Sequence, residues 1–134
     1  MEDSMRLRML IGFAVLMLMG TTAQAQCPNV PLQATTSFAH ETLTVSNSAV
    51  SLTSSTYAPT PTASGTGAVM AMFTVENDSL RFWTDGGTPT SSQGFLAVVG
   101  SAIYLCSPNE IRGFKAIRSA STDVPIQVEY FRVQ

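Results

Sequence analysis

The sequence carries little charge of either sign. Asp, Glu, Lys and Arg make up 12% of its 134 residues, and no Lys or Arg occurs between Arg8 and Arg81. Binding to duplex nucleic acid needs clustered positive charge that displaces counterions from the phosphates. Because the chain has no such cluster, we expect no nucleic acid among its partners.

Histidine and cysteine are also scarce. The chain has one histidine, His40, and two cysteines, Cys27 and Cys106. A structural zinc site usually needs four such ligands, so we expect no metal of that kind. In an exported chain, an even cysteine count favours a disulfide between Cys27 and Cys106, and two free thiols are the alternative. A bridge that closes so long a loop would stabilise the fold by about 4 kcal/mol, less any strain.

The few polar residues that could carry chemistry are not arranged to do so. His40 and Glu41 are adjacent, and adjacent side chains of a strand point to opposite faces. No nucleophile can be paired with His40 as its general base. Glu76, Asp78 and Asp85 could gather around calcium, but calcium wants six to eight oxygen ligands, and solvated turn residues fit the pattern better. We therefore predict no catalytic residue, no cofactor and no metal; a small exported hydrolase is the weakest hypothesis.

Long apolar runs are missing except at the start of the chain. A basic segment, Met5–Arg8, precedes the apolar run Met9–Met19, and Ala23–Ala25 forms an A-x-A cleavage pattern. These features predict a hydrophobic signal helix over residues 1–25, cut before Gln26. The run is shorter than the roughly 20 residues of a membrane-spanning helix. We expect no stable membrane span after cleavage; a retained membrane anchor or an amphipathic arm is the alternative.

The remaining 134 − 25 = 109 residues can bury one modest core. Residues 26–37 form a polar, proline-containing lead-in, and residues 38–134 form the domain. Apolar residues never recur at helical spacing there, whereas alternation is clearest from Val124 to Phe131. Pro125 indicates an edge position or the start of a strand. Seven or eight short strands predict an all-β fold, a small antiparallel β-sandwich of the jelly-roll or Ig-like kind.

Three local patterns carry specific expectations. The β-prone runs Val69–Val75 and Leu80–Thr84 flank a polar tetrad, which predicts a hairpin. Phe95–Val99 is continuously apolar, which predicts a strand covered on both faces. Ser107–Glu110 matches a capping box and predicts a single helical turn or tight loop.

Thr53–Gly67 is rich in Ser, Thr and Pro, and such a segment cannot offset its ordering entropy by burial alone. We expect a long surface loop with Tyr57 as its anchor into the core. A flexible, glycosylated linker is the alternative.

Phe82 and Trp83 are consecutive, so they face opposite sides of a strand. One of them is expected to fill the core. If the other is exposed beside Arg81, Arg81 and Trp83 would form a contact surface for carbohydrate or protein. The alternative is that the second face is covered as well.

From Phe38 onward the chain resembles a family of short tailed-phage proteins encoded among virion structural genes. The resemblance covers about 95 of the 134 residues, and it depends on the order and spacing of motifs that are individually weak. Those motifs are His40–Val45, Leu52–Tyr57, Thr74–Glu76, Leu80–Thr84, Asp85–Gly94, Ile111–Arg118 and Tyr130–Arg132. The position after Gly94 is often His in the family and is Phe95 here.

The resemblance implies a β-sandwich that serves as a virion accessory part, such as a decoration, adaptor or tail component, without an active site. Its partners would be further copies or other virion proteins, and its location the virion. The second hypothesis is an exported bacterial module, periplasmic or extracellular, that contacts glycan or a surface protein through the Trp83 side.

Overall fold

The structure is a computed structural model that describes residues 27–28, 35–58 and 67–134. The predicted signal peptide 1–25, part of the lead-in and residues 59–66 of the Ser/Thr-rich loop lie outside the described residues.

The described residues contain eight strands and two short helices. In chain order they are β1 (Thr35–Val45), β2 (Val50–Ser51), α1 (Ser54–Tyr57), β3 (Met70–Val75), β4 (Leu80–Trp83), β5 (Phe95–Ala97), β6 (Ala102–Leu105), α2 (Pro108–Gly113), β7 (Lys115–Arg118) and β8 (Val124–Val133). β1 begins three residues before Phe38, so the sheet takes in the end of the expected lead-in.

The strands form two antiparallel sheets of four strands, which confirms the prediction of a small β-sandwich. Sheet A has the order β1-β8-β3-β6 and sheet B the order β2-β7-β4-β5. The pairing is nested: β4 pairs with β5, β3 with β6, β2 with β7 and β1 with β8. Alternate nested pairs lie in opposite sheets.

The clearest alternation of the sequence forms the centre of sheet A. Val124, Ile126, Val128 and Tyr130 of β8 are at most 2% exposed, as period-2 alternation requires of a strand with one buried face. β8 pairs with β1 on one side and β3 on the other. The edge alternative for Pro125 is therefore wrong; this proline is the second residue of β8.

The prediction of a hairpin from Val69 to Thr84 is wrong, although both strands exist. β3 belongs to sheet A and β4 to sheet B, so the chain crosses between the sheets at residues 76–79. Both strands are amphipathic and short. This pattern is compatible with pairing of the two strands within one sheet and equally with packing of the two strands in opposite sheets. With the strands in opposite sheets, Phe73 and Phe82 pack against each other in the core, with their ring centroids 5.5 Å apart.

Aromatic rings from both sheets meet in the core. Phe73 of β3, Phe82 of β4 and Phe114 after α2 lie within 5.1 to 5.9 Å of one another by ring centroids. Tyr57 at the end of α1 is half-buried, 6.1 Å from the ring of Tyr130, which confirms it as the loop's anchor.

Helix α2 confirms the prediction from the capping pattern. The Ser107 hydroxyl accepts a hydrogen bond from the Glu110 backbone N–H at 3.2 Å, and Pro108 takes the first helical position. The Glu110 carboxylate accepts from the backbone N–H of Cys106, one residue before the cap. α2 ends at Gly113, where a Cβ atom would lie 2.3 Å from the carbonyl oxygen of Thr84.

Candidate contact surface

The exposed large apolar side chains of the described residues concentrate in one place. Phe95, Leu96, Val98 and Val99 are between 50% and 59% exposed, and Val133 near the C-terminus is the remaining one. We call the first four residues the β5 patch. In this stretch only Ala97 is buried, at 1% exposed.

The β5 patch is bare because β5 is the last strand of sheet B. It pairs with β4 through Phe95, Leu96 and Ala97, and no strand among the described residues lies beyond it. The prediction of a strand covered on both faces is therefore wrong. A continuous apolar run is typical of a doubly covered strand, but in this chain the same run forms the edge strand of a sheet.

Two aromatic rings adjoin the patch at the start of β5, both in contact with Phe95. Phe95 lies 5.7 Å from Phe82 and 5.2 Å from Trp83 by ring centroids, the latter in a T-shaped arrangement. Phe82 is buried, as expected for one of the two consecutive aromatics. Trp83 is half-buried, so it is neither freely exposed nor covered, and its packing helps to hold the Phe95 ring in place.

Arg81 has internal partners. Its Nε donates to the carbonyl oxygen of Ser91 at 3.1 Å and its Nη1 to that of Gly94 at 2.9 Å. The planar guanidinium thus fastens the loop before β5 onto β4. Of the expected pair of contact residues, Trp83 borders the patch, while the guanidinium of Arg81 supports it from within the chain.

The loop between β4 and β5 is shaped by the Asp85–Gly94 motif. The Asp85 carboxylate accepts from the Gly87 N–H at 2.8 Å, and the Thr90 hydroxyl from the Gln93 N–H at 3.0 Å. Gly94 has φ +125°, and a Cβ there would approach the Phe82 carbonyl oxygen at 3.0 Å. Only glycine combines that conformation with so close a contact.

The residues that protect edge strands are missing from the β5 patch. Proteins usually block an exposed edge with Lys, Pro, a bulge or an inward-pointing charge. Residues 95–99 are Phe-Leu-Ala-Val-Val and include none of these. A very short edge strand is a further protection, and β5, with three residues, has that one. The surface is therefore apolar and uncharged, and it presents unpaired backbone groups.

A disulfide lies at the corresponding edge of the other sheet. Cys27 and Cys106 are bonded, with their Cα atoms 5.2 Å apart and a sequence separation of 79. Cys106 follows β6, the edge strand of sheet A. The bond ties the N-terminal side of the domain to that edge.

The polar residues that the sequence singled out for chemistry lie apart. His40 is exposed on the outer face of sheet A, opposite Glu129 in the β1–β8 ladder. Asp78 accepts from the Ser79 N–H at 2.7 Å, a turn role like that of Asp85. Within the described residues, no three His, Cys, Asp or Glu side chains form a group that could hold a metal ion.

Glu41 and Tyr130 form a polar pair that the sequence reasoning missed. The Glu41 carboxylate accepts from the Tyr130 hydroxyl and, at 3.0 Å, from the Thr53 N–H. Burial raises the pKa of Tyr130 above its ordinary value, and the hydrogen bond and charge of Glu41 act in the same direction. The available signal was parity, since Glu41 shares the inward face of β1 with Leu43 and Val45.

No helix among residues 27–28, 35–58 and 67–134 has the length and hydropathy to cross a membrane.

Fold and surface together define a small antiparallel β-sandwich with an apolar, uncharged edge. Comparisons with protein-family models, with curated proteins and with solved structures find no match for the chain.

Proposed function

We propose that the protein is a non-enzymatic, phage-type virion accessory or structural protein that acts by protein–protein contact. Decoration of the head, an adaptor between parts, and a tail component are the roles that fit. The observation that carries the proposal is the β5 patch, because four apolar side chains at least half exposed on and just after an uncharged edge strand are typical of an interaction surface. Its location would be the virion, or outside the cytoplasm if the leader is functional.

The topology supports this proposal by analogy. Nested antiparallel pairs that alternate between two four-stranded sheets follow the pattern of a jelly roll, and we propose that architecture over the Ig-like one. Jelly rolls are common in viral capsid proteins and lectins. A fold shared by many functions does not define one by itself, so the surface remains the stronger argument.

The resemblance to the tailed-phage family supports the proposal from another direction. Its Asp85–Gly94 motif forms the loop that leads into β5. In this loop Pro89 is buried, and the Gly94 carbonyl oxygen accepts a hydrogen bond from Arg81. The residues that carry the resemblance therefore position the edge that carries the exposed surface.

The test is a protein inventory of purified particles. Tailed-phage particles from an induced lysate of the strain that encodes the chain would be analysed by quantitative mass spectrometry. We expect the chain at a copy number that matches a symmetric position of the head or tail. Leu96→Lys should reduce its incorporation at least tenfold, whereas Val133→Lys, a matched exposed apolar residue at 52% exposure, should not. Particles that lack the wild-type chain would overturn the proposal.

A second candidate, an exported module that binds glycan, is favoured by the outer face of sheet A. A shallow depression of about 240 Å³ there is lined by His40, Met72, Thr74, Gln127, Val128 and Glu129. Amide, hydroxyl and carboxylate groups of this kind can hydrogen-bond to sugar hydroxyls. Binding on a glycan array that Gln127→Ala abolishes would support this candidate, and loss with Trp83→Ala instead would place the binding surface on sheet B.

A further inference from the structure

We infer that the occupant of the β5 patch is a second copy of the chain, which joins through antiparallel pairing of β5 with β5. Two B sheets would then continue into one sheet across a two-fold axis. The inference builds on the proposed function, since it names the partner of the surface described above.

Backbone geometry favours this pairing. β5 uses one side to pair with β4, so the N–H and C=O groups of every second residue, which point to its other side, have no strand partner among the described residues. An antiparallel pair of identical strands is symmetric about a two-fold axis, so each copy satisfies the other with the same residues. With three residues centred on Leu96, the two Leu96 side chains meet at the axis, and Phe95 of each copy faces Ala97 of the other.

Charge also favours a second copy over a charged partner. Residues 95–99 carry no charge, and the nearest cation, Arg81, already donates to Ser91 and Gly94. A nucleic acid or an acidic protein would find no counter-charge on the patch, whereas another copy offers an equally apolar surface. The chain's net charge of −2 adds little repulsion at physiological ionic strength.

The available area predicts a reversible dimer. Four side chains half exposed or more leave on the order of 400 Å² of apolar surface on each copy. Burial of both patches removes roughly 800 Å², which is below the ~1,200–2,000 Å² of stable complexes. Because a two-fold contact is closed, the assembly stops at two copies in solution, and other contacts in a larger assembly would reinforce it.

Sedimentation velocity of the purified protein from about 1 μM to 1 mM tests the inference. We expect the weight-average mass to rise from one copy towards two. Leu96→Lys should move the midpoint of that rise to at least tenfold higher concentration, because it places two like charges at the axis. Val133→Lys should leave the midpoint unchanged. Unfolding midpoints within error of wild type would show that both variants fold.

Leu96→Cys provides an independent readout of the geometry. In an antiparallel pair, facing Cα atoms lie roughly 4.5–5.5 Å apart, within the range of a disulfide. Mild oxidation should therefore yield a covalent dimer of Leu96→Cys and none of Val133→Cys, with the Cys27–Cys106 bond intact by peptide mass.

The outcomes separate this inference from the proposed function. A wild type that stays monomeric to 1 mM, or a dimer that Leu96→Lys leaves intact, overturns the second-copy inference. If Leu96→Lys nevertheless loses incorporation into particles, the contact function stands with a different virion protein as the occupant. A wild-type dimer that is absent from particles overturns the virion role and supports the pairing.

Discussion

The carboxylate of Glu41 is half-buried on the inward face of β1, where a lone acid would lose part of its hydration. Its two donors are the buried Tyr130 hydroxyl and the Thr53 N–H, which begins the turn before α1. The pair thereby links the centre of sheet A to the segment that carries Tyr57. Because Tyr130 is buried, removal of the Glu41 carboxylate would leave its hydroxyl without an acceptor and destabilise the fold by about 1–3 kcal/mol.

The raised pKa of Tyr130 makes stability depend on pH at the alkaline end. The folded state keeps this proton, while the unfolded chain releases it near pH 10, the ordinary value for tyrosine. The contribution is therefore complete below about pH 10 and declines above it, by up to about 1.4 kcal/mol per pH unit.

Tyr130→Phe should flatten that decline in urea unfolding from pH 8 to 11, with about 1 kcal/mol lost at neutral pH from the missing hydrogen bond. Tyr104→Phe, on the outer face of sheet A, is the matched control and should keep the decline. An equal slope in Tyr130→Phe and wild type would contradict the assignment.

Gly113 is required by the close approach of two backbone segments. Its carbonyl accepts from the Gly86 N–H at 2.9 Å, and an added Cβ would lie 2.3 Å from the Thr84 carbonyl oxygen. We expect Gly113→Ala to lower the free energy of unfolding by about 1–3 kcal/mol because the backbone must shift. Gly87→Ala is a milder comparison, since its closest new contact is the Asp85 side chain. Equal stability of Gly113→Ala and wild type would contradict the packing.

Strand β5 depends on the guanidinium of Arg81 for its position. Two charge-assisted bonds hold the loop before β5, and β5 has only three residues of its own to pair. The position of β5 therefore depends on the Arg81 side chain as well as on its backbone pairing with β4.

Arg81→Ala should loosen β5 locally. We expect exchange of the β5 amides that pair with β4 to accelerate at least tenfold, because each lost bond to a charged group is worth about 1.5–3 kcal/mol. Arg112→Ala, which removes an exposed bond to Asn109 at 2.8 Å, should leave β5 unchanged. Uniform acceleration across both sheets would indicate global destabilisation instead.

The N-terminal side of the domain depends on its disulfide in a comparable way. In the chain-entropy account, closing a loop of 79 residues stabilises by about 4 kcal/mol. The double variant Cys27→Ser with Cys106→Ser should lose about that much in denaturant unfolding. Reducing agent should bring the wild type to the same midpoint and leave the variant unaffected. An unfolding midpoint of the double variant within error of that of the oxidised wild type would show that the disulfide contributes little to stability.

The whole molecule places its polar faces and its apolar edge in different directions. The outer face of sheet A carries His40, Gln127 and Glu129, whereas the β5 patch at the side of sheet B is uncharged. Association through that edge, as proposed above, would be driven by loss of apolar surface and by backbone pairing, and both are insensitive to simple screening.

We therefore expect the self-association midpoint to change less than about twofold between 50 and 500 mM NaCl, and sulfate to strengthen association because it is excluded from the protein surface. Sedimentation in the two salts provides the measurement. A midpoint that weakens tenfold with NaCl would indicate a charged interface elsewhere on the chain.

The sequence by itself determined which segments become strands and where α2 is capped. Alternation in β8 and the Ser107 cap are local properties, since a side chain's face and a helix's first turn depend on near neighbours in the chain. The fold class followed from the number and spacing of such segments.

Only the tertiary structure decided which strands are neighbours. β3 and β4 look like a hairpin in sequence yet face each other across the core, and the Phe95–Val99 run looks interior yet forms a free edge. Glu41 likewise received its partner from a residue 89 positions away. Local pattern sets only the period of a strand; its pairing is set by the competition among all apolar faces to be buried together.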